Sequence, residues 1–496
     1  MSFDALLPLL VVFSSLVPGV FIFFIPELRT AERTSINIAA ACLKLLLVAS
    51  IVRGVYDGRR YETRFPFVAG ADLLLRADPF SLLFVSLSAV LWLATTVYAV
   101  GYLEGSPHRS RFFGFFSLCV ASTMGIALAG NLLTFLFFYE MLTISTYPLV
   151  VHRGTPEALR AGDVYLRYTI AGGAVLLAGV ALLYALAGSV DFTERGALDG
   201  VAPQHRPALV VAFVLLVGGL AVKAAIFPLH RWLPEAMIAP APVSALLHAV
   251  AVVKAGAFGI TRVVYDVFGV RLAHELGVMR PLALFAAFTI LYGSLQALAQ
   301  KDLKRRLAYS TVSQISYIVL GVAIFGTLST IGGIVHIVHQ GLMKVTLFFC
   351  AGNLAEELGI HRVDELRGVG RRMPLTMGAF TIGALGMAGV PPIAGWVTKW
   401  YLCIGALAAN EPWVVVLLVT SALLNALYFF PLVYDAWFAE PETAWAKPLG
   451  RAEVRPFLLV PTVTTAALSL GAGVLCGLDL SPLGWAKLIA TREFAL

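Results

Sequence analysis

Charge is scarce in this sequence. Only 13% of its 496 residues are Asp, Glu, Lys or Arg, and 59% are hydrophobic, whereas a soluble protein carries roughly 25% charged residues. A water-soluble globule could not dress its surface with so few charges, and a disordered chain needs the reverse composition. Both classes are excluded. Cysteine is scarce too: Cys42, Cys119, Cys350, Cys403 and Cys476 lie far apart in apolar stretches and form no C-x-x-C pair. An iron–sulfur cluster or structural zinc is therefore not expected. No glycine-rich phosphate loop is present. The +7 net charge is scattered over loops, with no like-charged block or aromatic–basic face, which argues against nucleic acid. A cleaved leader is not expected, because Asp4 stands where a basic n-region would and no small-residue cleavage site follows.

Long apolar runs are what the chain has in abundance. A bilayer span needs about 20 mainly apolar residues. Fourteen such runs are predicted, at 5–27, 34–53, 79–103, 111–129, 131–151, 164–187, 208–228, 242–265, 281–300, 307–326, 329–354, 374–407, 412–438 and 457–478. The expected fold class is an all-α polytopic membrane protein. The longest loops, 54–78, 188–207 and 355–373, are too short for a soluble domain. Counting the arginines at span ends (Arg53, Arg111, Arg167, Arg262) with the adjoining loops, loops after odd-numbered spans hold 19 Lys and Arg, including Lys301, Lys304, Arg305, Arg306, Arg362, Arg367, Arg371 and Arg372, against 12 in the even loops and the C-terminal tail. The positive-inside rule then places the odd loops in the cytoplasm and both termini on the outer side of the cell membrane.

Five lysines fall inside spans: Lys44, Lys223, Lys254, Lys344 and Lys399. A mid-bilayer charge costs about 2.5–3.5 kcal/mol on insertion scales, so such residues mark ion or proton pathways by default. Glu140, midway through LLTFLFFYEMLTISTYPLVV, is too deep to snorkel. It needs a proton or a buried cation; a neutral glutamate bonding two helices is the plainer alternative. Lys223 precedes a stretch broken by Pro228, Pro234, Pro240 and Pro242. Proline frees backbone groups, and freed backbone at membrane depth requires protein or water beside it. A Glu140–Lys223 pair that can be made and broken would act as a proton valve. Pro391 and Pro392 break a second run, with Lys399 following; two such helices, one per half, suggest an inverted repeat.

His248 and Lys254 share one span. In another, His336, Gln340 and Lys344 form a stripe at i, i+4, i+8 with His339 beside it. Imidazole titrates near neutrality, so a relay is the functional reading. No carboxylate or thiolate joins the stripe, so metal is not expected. Lys44 and Asp435 are weaker cases, and Arg167 lies either at the mouth of the Glu140 region or among headgroups.

The runs FYEMLTISTYPLVV, KAAIFPLHRWLPEAMIAPAPVSALLHAVAVVKAG, KDLKRRLAYSTVSQISYIVLG, HQGLMKVTLFFCAG and GVPPIAGWVTKWYL resemble the antiporter-like membrane subunits of the complex I superfamily. The resemblance covers roughly residues 75–435. His339 followed by Lys344, and the short tail, are most similar to D-type Mrp Na⁺/H⁺ antiporter subunits and related hydrogenase subunits. The resemblance implies about fourteen transmembrane helices with two inverted five-helix repeats, each containing a proline-broken helix. It divides the chain into 1–110 (helices 1–3), 111–265 (4–8), 266–438 (9–13) and 439–496 (helix 14 and tail). It also implies a proton relay through Glu140, Lys223, His248, Lys254, His336, His339, Lys344 and Lys399, with His336 and His339 as alternatives at one step. No cofactor is expected, and the partners are other membrane subunits, the bilayer, and protons or Na⁺; a nitrogen-rich axis favours protons. Any electron transfer, as in a complex I or hydrogenase assembly, belongs to partners. Two other readings stand beside transport within a complex. One is a scaffold whose charges are frozen in inter-helix pairs. The other is a lone metabolite carrier, for which no substrate-shaped polar pocket is visible in the sequence.

Overall fold

A computed structural model describes residues 3–68, 71–198, 200–201, 203–441 and 453–494. Part of the expected loop after the thirteenth span, 442–452, lies outside them, as do four residues of two shorter loops. Backbone groups in hydrocarbon must be satisfied within the segment, so the apolar runs become helices. They are α1 (Phe3–Phe23), α2 (Thr30–Tyr56), α3 (Pro79–Tyr102), α4 (Arg109–Leu128), α5 (Leu132–Val150), α6 (Pro156–Ala187) and α7 (Arg206–Lys223). After a broken stretch come α8 (Ala241–Phe268), α9 (Met279–Ala299), α10 (Leu303–Ala323) and α11 (Thr327–Leu358). The rest are α12 (Pro374–Ala388), α13 (Ala394–Ala408), α14 (Pro412–Phe438), α15 (Pro456–Val474) and α16 (Pro482–Phe494).

Among the described residues, twelve helices are long and apolar enough to cross a membrane. The other two expected spans are α10, more polar through Ser310, Thr311, Ser313, Gln314 and Ser316, and the broken pair α12–α13, each arm too short alone. Side-chain caps fix several starts: Asn131 accepts from Thr134 N at 2.9 Å, and Asp302 from Arg305 N at 2.7 Å. The most apolar windows of α8 and α11 are wholly buried, whereas that of α6 is 28% buried. The centre of the bundle is thus built on the two helices that carry His248, Lys254, His336, His339 and Lys344.

Two elements differ from expectation. The 54–78 connection holds an antiparallel hairpin, β1 (Tyr61–Val68) with β2 (Ala71–Ala77). It lies on the face that also carries the N-terminus and the 191–197 loop, tied by bridges Leu75–Ala129 and Asn131–Asp191 and by the Arg64–Asp191 ion pair. The C-terminal tail forms α16, which buries Leu483, Trp485, Ala486, Ile489 and Ala490 against α11 and α3. This amphipathic helix seals the hairpin face. The opposite, basic face carries Lys301, Lys304, Arg305 and the 362–372 arginines, joined by the Asp302–Arg362 bridge.

Glu493, near the end of α16, is 8% exposed and accepts from Arg195 N at 2.9 Å. Burial, with Asp266 beside it, pushes its carboxyl up to about 9. An unfolded glutamate titrates near 4.3, so the stabilisation from burying it neutral is complete below that pH and is lost as pH rises towards about 9. We expect α16 to loosen between pH 6 and pH 10, read as faster proteolytic removal of the C-terminus, and Glu493→Gln to abolish the pH effect. Equal resistance at both pH values would contradict this.

Candidate functional site

The site is a row of buried ionisable side chains across the middle of the bundle. Lys223, His248, Lys254, His336, His339 and Lys344 are at most 1% exposed and Lys399 is 8% exposed. The chain supplies each with particular neighbours. The lysines are held by main-chain carbonyls. Lys223 Nζ, at the last turn of α7, donates to Tyr139 O of α5 and sits 3.3 Å from the centre of the Tyr139 ring, a cation–π arrangement. Lys254 Nζ donates to Ile337 O at 2.7 Å. Lys344 Nζ donates to Leu307 O at 3.1 Å and to Ser310 Oγ. Lys399 Nζ donates to Met387 O at 3.0 Å and Ala388 O at 2.6 Å.

The last contact follows directly from the sequence. In a continuous helix the carbonyls of 387 and 388 would bond the amides of 391 and 392. Those residues are Pro391 and Pro392, which have no amide hydrogen. The prolines free two carbonyls, and the lysine just over one turn into α13 takes both. Gly389, at φ +92°, permits the approach, because a Cβ there would stand 2.7 Å from Lys399 Cδ. Near the first break, Gly256 plays the same part: a Cβ there would collide with Ala224 N.

The Oε1 of Glu140 is buried and has no hydrogen-bond partner. The carboxyl is within coulombic reach of Lys223, yet no ion pair joins the two within 4.0 Å; the lysine binds the Tyr139 carbonyl instead. It packs on Gly173 of α6, where a Cβ would collide with Oε1. Beside it an apolar groove of about 520 Å³, walled by Leu118, Leu136, Phe137 and Met141, opens on the outside of the bundle.

The histidines join the lysines. His248 sits in a π-helical turn, Leu246–Val250, with its ring 4.5 Å from that of Phe348. Both its ring nitrogens are unpartnered, as are both of His336. His336 packs 5.4 Å from the Tyr317 ring and lies within coulombic reach of Lys254, His339 and Lys399. His339 Nδ1 instead meets Thr398 Oγ1 at 3.0 Å, on the residue before Lys399. Both histidines therefore adjoin the second break, one through space and one through a hydrogen bond. Gln340 and the Oε1 of Gln314 are buried and unpartnered nearby. Buried polar atoms are nearly always bonded to protein or ordered water. A row of them marks a place where water chains can form.

Other sequence candidates stand apart. Lys44 is buried against α1, donating to Ser15 Oγ at 2.6 Å, 4.1 Å from the Trp92 ring. Arg167 pairs with Asp163 at 2.6 Å on an exposed face, the headgroup alternative. Asp435 is half-buried near the end of α14. Among the described residues, no three His, Cys, Asp or Glu side chains converge to hold a metal ion. Tyr139, Ser310, Gln314, Tyr317 and Thr398 belong to the site, although only the stripe Ser310, Gln314, Tyr317 on α10 offered a periodic signal.

Twelve membrane-length apolar helices among the described residues, two proline-bounded breaks with a buried lysine each and a buried Lys/His row define an antiporter-like membrane subunit. The chain belongs to the family described as NADH:quinone oxidoreductase/Mrp antiporter, TM, whose model matches residues 129–425. It is 37% identical over 448 residues to NADH-quinone oxidoreductase subunit N of Desulforudis audaxviator, covering 86% of this chain and 85% of that one. It is 29% identical over 442 residues to the D-type Na(+)/H(+) antiporter subunit of Bacillus subtilis, covering 88% and 87%. Its fold matches a chain of the Mrp complex from Dietzia sp. DQ12-45-1b with a TM-score of 0.88, at 24% identity and 100% and 98% coverage. It also matches a chain of the membrane-bound sulfane sulfur reductase, an archaeal respiratory membrane complex, with a TM-score of 0.85 at 25% identity and 99% and 98% coverage.

The packing of Glu140 on Gly173 is open to test. Gly173→Ala should displace the carboxyl and lower ion flux through the assembled complex several-fold. Gly218→Ala, where the nearest atom is 3.9 Å from the new Cβ, should leave it unchanged. Equal flux in both variants would show that the position of the carboxyl is not critical.

Proposed function

We propose that this chain moves protons across the cell membrane, along the row from Glu140 and Lys223 through His248/Lys254 and His336/His339/Lys344 to Lys399, as one membrane subunit of a Mrp-type antiporter complex. The observation that carries this reading is the pairing of carbonyl-held lysines with unpartnered buried histidine and glutamine atoms. A carbonyl accepts from a charged ammonium or a neutral amine alike, so it positions a lysine without fixing its proton. A scaffold with frozen inter-helix ion pairs would place a carboxylate on each lysine, and among the described residues none lies within 4.0 Å of these four. In this reading 111–265 and 266–438 are the two repeats, the basic face is cytoplasmic, and both termini are outside.

A second reading places the same axis in a complex I-type or hydrogenase assembly that pumps protons, and the identity to an N-type oxidoreductase subunit supports it. In both readings electrons pass only through partner subunits. The test is proton or Na⁺/H⁺ flux in vesicles holding the whole complex. Glu140→Gln, Lys223→Ala and Lys399→Ala should each assemble and lower flux at least tenfold, a loss of about 1.4 kcal/mol or more in barrier terms. Normal assembly with unchanged flux in all three would refute the relay. Coupling of flux to an added reductant, rather than to a Na⁺ gradient, would select the second reading.

A further inference from the structure

A cavity of about 470 Å³ opens on the basic face, between the start of α6, the broken stretch after α7 and the start of α10. Its charged wall is balanced: Glu157, Glu235 and Asp302 against Arg160, Arg231 and Arg305, with Arg305 Nη2 3.3 Å from Glu235 Oε2. A recess of that size, open to bulk and with six charged side chains in its wall, admits water. Met237 and Ile238 belong to its wall, and the next residue is Ala239, just before Pro240. There the chain turns into α8, and the Ala239 carbonyl accepts not from an amide four residues on but from Lys304 Nζ at 2.6 Å. Val243 N, the amide a continuous helix would have used, bonds Pro240 O instead.

Lys304 therefore ties the corner that follows Met237 and Ile238 to the start of α10, between the cavity-wall residues Asp302 and Arg305. Asp302 and Arg153 are the charged groups within its coulombic reach on the basic side. On the inward side, His248 lies within coulombic reach of both Lys304 and Lys344. His248 is fully buried with neither ring nitrogen bonded.

We propose that Lys304 is the residue through which protons pass between the basic-face cavity and His248. The inference rests on the proton-relay reading above. In each passage an ammonium N–H of Lys304 gives its proton inward, through water, to a ring nitrogen of His248, and the resulting amine takes a proton from water in the cavity. No bond to carbon changes and no co-reactant is needed. The neutral amine keeps two N–H groups, so the bond to the Ala239 carbonyl survives the transfer. Anchoring the break and passing the proton are therefore separable functions of one side chain.

Arginine separates them, because it keeps the donor and the charge but does not release a proton in a protein. In vesicles holding the whole complex, Lys304→Arg should keep wild-type assembly and thermal stability and lose at least tenfold in flux; Lys304→Met should lose as much. Flux within twofold of wild type in the arginine variant would overturn the proposal. So would a loss of flux accompanied by a matching loss of thermal stability in that variant, which would make Lys304 an anchor only. Lys223→Ala, measured alongside, separates the two levels. If it too transports normally, the relay itself fails; if it is inactive while Lys304→Arg is active, only the role of Lys304 is refuted.

Discussion

A lysine in an apolar interior needs acceptors, and in this bundle the acceptors are main-chain carbonyls. An unpaired ammonium in a low-dielectric interior is costly. A carboxylate partner would meet that cost by holding the ion pair together, and with it the proton. A carbonyl meets it differently. It is a neutral dipole that accepts from either protonation state, so the side chain is fixed in space and its proton is not. Lys223, Lys254, Lys344, Lys399 and Lys304 are all held in this way.

Two of these lysines draw on interruptions of helix. A regular helix uses its carbonyls for its own amides, and Lys223, Lys254 and Lys344 share such carbonyls, those of Tyr139, Ile337 and Leu307 within α5, α11 and α10. Pro391 and Pro392 release two, and Lys399 takes both. The Pro240 corner releases that of Ala239, which Lys304 takes. Freed backbone of this kind is tolerated only inside protein or beside water. The breaks therefore lie within the bundle, and the glycines at 256 and 389 supply the space they need.

Much of the site was legible in the sequence because charge and proline in an apolar run are conspicuous. Glu140, the lysines and the histidines stand out against their neighbours, and spans follow from hydropathy and length. The partners of the lysines were not legible. A backbone carbonyl has no residue identity, so the expected Glu140–Lys223 contact was read from the side chains, while the geometry gives Lys223 the Tyr139 carbonyl. The π-turn holding His248 leaves no periodic trace over five residues, and the hairpin at 61–77 was hidden in a loop with a mixed composition. Lys304 was visible, but as one basic residue among four in KDLKRR it counted towards topology. Its depth comes from the start of α10 turning it towards the Ala239 corner, which only the fold supplies.

The balance of charge along the row favours the proposed reading of a mobile proton over a fixed one. One carboxyl, Glu140, faces four lysines and three histidines on the row, and it adjoins only Lys223. Like charges a few ångströms apart in a protein interior repel by about 4 kcal/mol at an effective dielectric of 20. His336 lies within coulombic reach of Lys254, His339 and Lys399 at once, so a positive charge on any of them disfavours one on the others. A proton added at one position therefore disfavours protons at its neighbours, and its arrival at one end of the row favours departure from the next site along. In the proposed relay, carbonyl anchoring would leave each lysine free to respond, with mutual repulsion as the coupling from one residue to the next.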